Sequence, residues 1–108
     1  MNNEVIKEID LLISTIKSSD IYKEYIHLLN QVDKSEEIKA LTNDIRVLNK
    51  KMVLTPSIEL EKELKLKEEK LNEIPLYSEY KYKLSELNNM LTVIKNKVES
   101  FMKDIIVN

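Results

Sequence analysis

The stretch PLYSEYKYKLSELNNMLTVIKNKVESFMKDII, Pro75 to Ile106, contains no helix breaker after its first residue. Its apolar positions are Tyr77, Tyr80, Leu84, Leu87, Leu91, Ile94, Val98, Phe101 and Ile105. They fall at alternating steps of three and four, the coiled-coil signature. A straight helix drifts about 20° per heptad from such a line, so the pattern implies left-handed wrapping around a neighbour. At ~1.5 Å per residue the helix is roughly 46 Å long. A compact domain of this size is only very roughly 35 Å across. The long helix should therefore outrun a monomeric globule, which points to an elongated molecule, a second subunit, or both.

The rest of the chain reads as four shorter helices. The first runs from about Asn3 to Lys17, with Val5, Ile9, Leu12 and Ile16 at helical spacing, Ile6 and Ile13 widening the stripe, and Leu11 on the opposite face. Ser18, Ser19 or Asp20 can cap the second, from about Asp20 to Val32, because their side-chain oxygens accept from free N–H groups of a first turn. Its face is Ile21, Tyr22, Tyr25, Ile26, Leu29 and Val32. Asp33 followed by Glu36 has capping-box spacing for the third helix, with Ser35 a competing cap. That helix carries Ile38, Leu41, Ile45, Leu48 and Met52 on one side. Thr55 suits the N-cap of the fourth helix, with Pro56 at its first position and its end near Glu73. The fourth stripe is narrow: Leu60, Leu64 and Leu71, interrupted by Lys67. Pro75 then separates the fourth and fifth helices, since the residue before proline avoids the α region. The expected fold is all-α: about five helices in an elongated helical bundle, one domain over residues 1–108, ending in the long heptad-patterned helix.

Composition agrees and excludes much chemistry. The chain has 108 residues and no glycine, so phosphate-cradling and dinucleotide-binding loops are absent and glycine-dependent hairpin turns are disfavoured. With no cysteine there is no disulfide, thiolate catalysis or cysteine-held cluster. Net charge is −2, and Lys62, Lys65, Lys67 and Lys70 alternate with Glu61, Glu63, Glu68 and Glu69, which describes a solvated face rather than a phosphate track. No nucleic-acid partner is expected. No apolar run approaches the roughly 18 residues of a membrane span. The first residues, MNNEVIKEID, do not read as a signal peptide, so a cytoplasmic location is expected.

No catalytic constellation emerges. The single histidine, His27, falls with Lys23 and Asn30, away from the apolar face of its helix and without convergent partners. Acid pairs such as Glu59/Glu63 sit among lysines on a charged surface. Ser18, Ser19, Ser35, Thr55 and Ser57 lie at helix boundaries, where capping explains them. No catalytic, cofactor-binding or metal-binding residue is assigned, no cofactor is expected, and the chain reads as a non-enzyme. Tyrosine buries a large ring and keeps a polar tip, so it serves cores and interfaces alike. Tyr22, Tyr25, Tyr77 and Tyr80 lie on their stripes; Tyr82, Met90 and Val93 lie off the main stripe and can serve a second contact. The interface expected for a second copy or a partner is Tyr77, Tyr80, Tyr82, Leu84, Leu87, Met90, Leu91, Val93 and Ile94.

The block SSDIYKEY, with Ser19, Tyr22 and Tyr25, followed by IPLYSEY and LNNML, with Pro75, Tyr80, Leu87, Asn88 and Leu91, resembles the YlbF/YmcA family of small helical proteins from Gram-positive bacteria, which includes YheA-like members. The likeness runs from about Ile9 to Ile105. It implies an all-α, oligomer-forming regulatory protein without enzymatic activity, a homodimer or higher oligomer. The family also implies YmcA-like and YaaT-like partners and a role in competence, sporulation, biofilm formation or mRNA processing through ribonuclease Y. Carried over, Tyr80, Leu87 and Leu91 belong to the packed last-helix face, and Ser19 and Tyr22 fix the first turn. The sequence departs from many members at Lys83 and Leu84, where those have a small residue and an acid. It also has no cysteine for the iron–sulfur clusters associated with some relatives. The alternative reading is a coiled-coil structural or chaperone-like module that holds clients between helices.

Overall fold

The computed structural model describes residues 3–107. Over that range the chain is five α-helices: α1 (Asn3–Ser18), α2 (Asp20–Lys34), α3 (Glu36–Leu54), α4 (Ile58–Asn72) and α5 (Pro75–Val107). No described residue has a positive φ, which is how a chain without glycine makes its turns.

Serine hydroxyls set most of the boundaries. Ser19 is the whole α1–α2 connection: its Oγ donates to the Ile16 carbonyl at 2.6 Å and accepts from the Tyr22 N–H at 3.2 Å. One side chain thus satisfies an orphan acceptor of α1 and an orphan donor of α2. Of the three candidate caps Ser18, Ser19 and Asp20, the middle one holds the position.

Ser35 caps α3, accepting from the Ile38 N–H at 3.2 Å. The Asp33–Glu36 capping box does not form, because α2 continues through Lys34 and keeps Asp33 inside it. The next boundary shifts in the same way. Ser57, not Thr55, is the N-cap of α4, with Oγ accepting from the Leu60 N–H at 3.1 Å. Thr55 closes α3 instead, donating its N–H to the Lys51 carbonyl at 2.8 Å. The cause is Pro56: it bars Thr55 from the α region and leaves it at φ −142°, ψ 80°. Pro56 itself lies outside the helix. Ser57→Ala is therefore expected to lower stability by about 1 kcal/mol, and Thr55→Ala by clearly less. Urea midpoints of the two variants check this; equal losses would return the cap to Thr55.

Between α4 and α5 the turn is tight. Glu73 and Ile74 donate back to Glu69 and Leu71 at 3.1 and 3.2 Å, and Ser78 Oγ donates across the turn to the Asn72 carbonyl at 2.9 Å. Pro75 opens α5, where its missing N–H has no helical partner to lose.

Packing gathers the chain into two units. One comprises residues 27–81, the other residues 1–26 and 82–108. In the first, α3 and α4 form an antiparallel hairpin. Ile38 (1% exposed), Leu48, Leu71 and Leu28 form its core. Leu41, Ile45, Met52, Leu60 and Leu64 are half-buried beside them. Lys67, the interruption in the leucine stripe of α4, reaches Asp44 on α3 at 3.1 Å. Both side chains stay partly in water, so the pair fixes register more than it stabilises. Leu28 is the core residue missing from the face read for α2, although Ile21, Tyr25, Leu28 and Val32 repeat at steps of four and three.

The second unit is drier only at one point. Leu87 is buried, at 6% exposure, while Ile16, Leu84, Met90 and Ile94 are half-buried. The apolar stripe of α1 is largely uncovered: Val5, Ile6, Ile9, Leu12 and Ile13 keep between 39% and 46% of their surface. The far part of the α5 stripe is uncovered too, with Val98 at 46%, Phe101 at 64% and Ile105 at 61%.

Candidate interaction surface

The residues expected to meet a partner divide by burial. Leu87 is occupied within the chain. Tyr77, Tyr80, Leu84, Met90 and Ile94 are half-buried, and Tyr82, Leu91 and Val93 are exposed. Tyr77 and Tyr80 belong to the 27–81 unit, the other seven to the second unit.

At the head of α5 the Tyr77 and Tyr80 rings lie 5.9 Å apart between centroids, tilted by 45°. The Lys81 ammonium stands 5.8 Å from the Tyr77 ring centroid, within cation–π reach. These three side chains hold one another in place on a single turn and the next.

Two residues beyond Lys81, within the second unit, Lys83 ties α5 to α2. Its Nζ is 2.5 Å from Glu24 and 3.5 Å from Glu86. The hydrogen bond to Glu24 raises the Lys83 pKa above its ordinary value, assisted by the charges of both acids and opposed by desolvation. A raised folded-state pKa gives a contribution that is complete below the unfolded value of about 10.5 and lost as pH climbs past it. The tie is thus constant through the neutral range.

One open groove is mainly apolar. Val5, Ile9 and Leu12 of α1 line one side of it and Val98 and Phe101 of α5 the other, with Glu4, Lys7 and Glu8 adding charge. Further along α5, Met102, Ile105 and Ile106 are exposed, at 53%, 61% and 78%. Monomeric soluble proteins rarely expose contiguous apolar patches beyond a few hundred Å². The α1 stripe and the Val98–Ile105 end of α5 were not among the expected interface residues. The heptad line already ran through Ile105, but a heptad line marks an apolar face without saying which part of it the same chain covers.

His27 is exposed. Among the described residues no three His, Asp or Glu side chains gather at metal-binding distances. No helix there is long and apolar enough to cross a membrane.

The model of the family described as "Control of competence regulator ComK, YlbF/YmcA" matches residues 5–103. No curated protein and no solved structure matches the chain. The match covers nearly the whole chain, and the chain belongs to the YlbF/YmcA family.

Proposed function

We propose that this member of the YlbF/YmcA family is a non-catalytic regulatory adaptor that works by helix-mediated self-association and by contact with other proteins. The observation that carries the reading is the uncovered apolar surface on α1 and the far end of α5. On a soluble protein, contiguous apolar surface of this kind marks a contact with another molecule. The family's printed description supplies the direction: control of a competence regulator. On this reading residues 1–108 act as one domain, in the cytoplasm. The chain joins YmcA-like and YaaT-like proteins, and the assembly bears on competence, sporulation, biofilm formation or ribonuclease-dependent mRNA processing. Tyr82, Leu91 and Val93, all exposed, are the positions of the expected interface free to meet a different protein.

The test is affinity capture of the tagged chain from its native lysate, with identification of what accompanies it. Near-stoichiometric YmcA-like or YaaT-like protein is the expected result. Recovery of nothing but untagged copies of the same chain would defeat the pathway part of the reading.

The open groove between α1 and α5 also favours a second reading, a chaperone-like module that seats an apolar client helix. The purified chain would then suppress aggregation of an unrelated unfolding protein, which an adaptor would not do.

A further inference from the structure

The uncovered part of α5 has an internal order that singles out its occupant. Ile94, Val98, Phe101 and Ile105 continue the heptad line, and the last three are exposed. Lys97 and Asp104 flank that line on one side, each directly before a seam residue. Lys95, on the other side, is already engaged with Glu99 at 3.9 Å. Among the described residues no ion pair involves Lys97 or Asp104.

Consider a second α5 laid antiparallel along the first, with the two-fold axis passing between Glu99 and Ser100. Val98 then meets the partner's Phe101, and Ile94 meets the partner's Ile105. The same register sets Lys97 against the partner's Asp104, and Asp104 against the partner's Lys97. One register therefore pairs every seam residue with an apolar mate and both flanking charges with opposite charges. A parallel arrangement loses this, because it sets Lys97 beside the partner's Met102 rather than an acid.

The exposed seam residues Val98 and Phe101 stand across the groove from Val5, Ile9 and Leu12, so a helix seated there also meets α1. We infer that the occupant is a second copy of this chain, its α5 end antiparallel to the first and flanked by both α1 helices. This rests on the self-association reading above and adds its surface, orientation and register. The two contributed patches are the same patch, as a two-fold interface requires.

Cysteine cross-linking tests the orientation, and the chain has no cysteine of its own to confuse it. In the antiparallel register the two copies of position 105 lie roughly 16 Å apart along the axis, too far for a disulfide. Position 105 of one chain lies opposite position 94 of the other. Under mild oxidation Ile94→Cys and Ile105→Cys chains are each expected to stay uncross-linked alone. An equimolar mixture is expected to give a covalent dimer. Cross-linking of either variant with itself would overturn the antiparallel register. Absence of any cross-link, with the wild-type chain still sedimenting as a dimer, would overturn this contact but leave self-association standing. A wild-type chain monomeric at high concentration would remove both. Lys97→Glu should weaken association roughly threefold, and Lys97→Glu with Asp104→Lys should restore it. A double variant no better than the single one counts against the register whatever the cross-links show.

Discussion

Leu87→Asp is expected to unfold much of the chain rather than merely change its mass. Leu87 sits at 6% exposure, the one buried hydrophobic side chain of its unit among the described residues. The substitution removes a buried leucine, which costs about 3 to 5 kcal/mol when the site cannot collapse. It also puts a carboxylate where no partner waits, which adds a penalty of several kcal/mol or forces the group to take up a proton. Together these consume most of the ~5–15 kcal/mol that holds a typical domain. Circular dichroism should show lost helix at neutral pH. Partial recovery is expected as pH falls from neutrality towards the ordinary carboxylate value of about 3.9, because burial raises the folded-state pKa of a carboxyl and only its charged form carries the full penalty. A variant that keeps its helix and its thermal midpoint at pH 7 would mean that Leu87 is not the centre of its unit.

Ile38→Ala should lower stability by about 3 kcal/mol. Ile38 is the most buried large side chain, at 1% exposure, and opens the stripe by which α3 packs on α4. Its loss leaves a cavity at the foot of the hairpin, next to the turn that Ser35 caps. Val53→Ala, at 82% exposure, is the control and should change stability by less than about 0.5 kcal/mol. Both are read from urea midpoints at unchanged slope. Equal effects would mean that the hairpin is not held by its Ile38–Leu48–Leu71 core.

These two residues also mark how far the fold can be read from residues alone. Helix number and type were legible, because serine caps and two prolines punctuate long periodic runs in a chain without glycine. Which of two neighbouring cap candidates prevails was less so. Asp33 and Ser35 both have capping chemistry at workable spacing, as do Thr55 and Ser57. The choice depends on how far the preceding helix runs and on the restraint Pro56 places on Thr55. The apolar faces were legible as well, with Leu28 the omission. What covers each face was not. Periodicity reports an apolar stripe equally for Ile38, which the chain buries, and for Phe101, which it leaves at 64% exposure. The expected interface centred on the middle of α5, where Leu87 is buried within the chain and Tyr82, Leu91 and Val93 are exposed. Uncovered apolar surface also runs further along, at Val98 to Ile105, and on α1. Lys67 teaches a smaller lesson: a charge in an apolar stripe became intelligible once Asp44 stood opposite it.

The adaptor reading stands on one physical claim, that the apolar face of α1 and the end of α5 is covered by another protein chain, first of all by a copy of itself. Sedimentation equilibrium of the wild-type chain beside Phe101→Asp tests it most directly. Phe101 is exposed, so the substitution should leave helix content intact while placing a charge in the middle of the contact. The account predicts wild type at twice the 12.7 kDa chain mass or more and Phe101→Asp at 12.7 kDa with an unchanged circular dichroism spectrum. A wild-type chain that remains at 12.7 kDa up to high concentration, or a variant that assembles as wild type does, would contradict it.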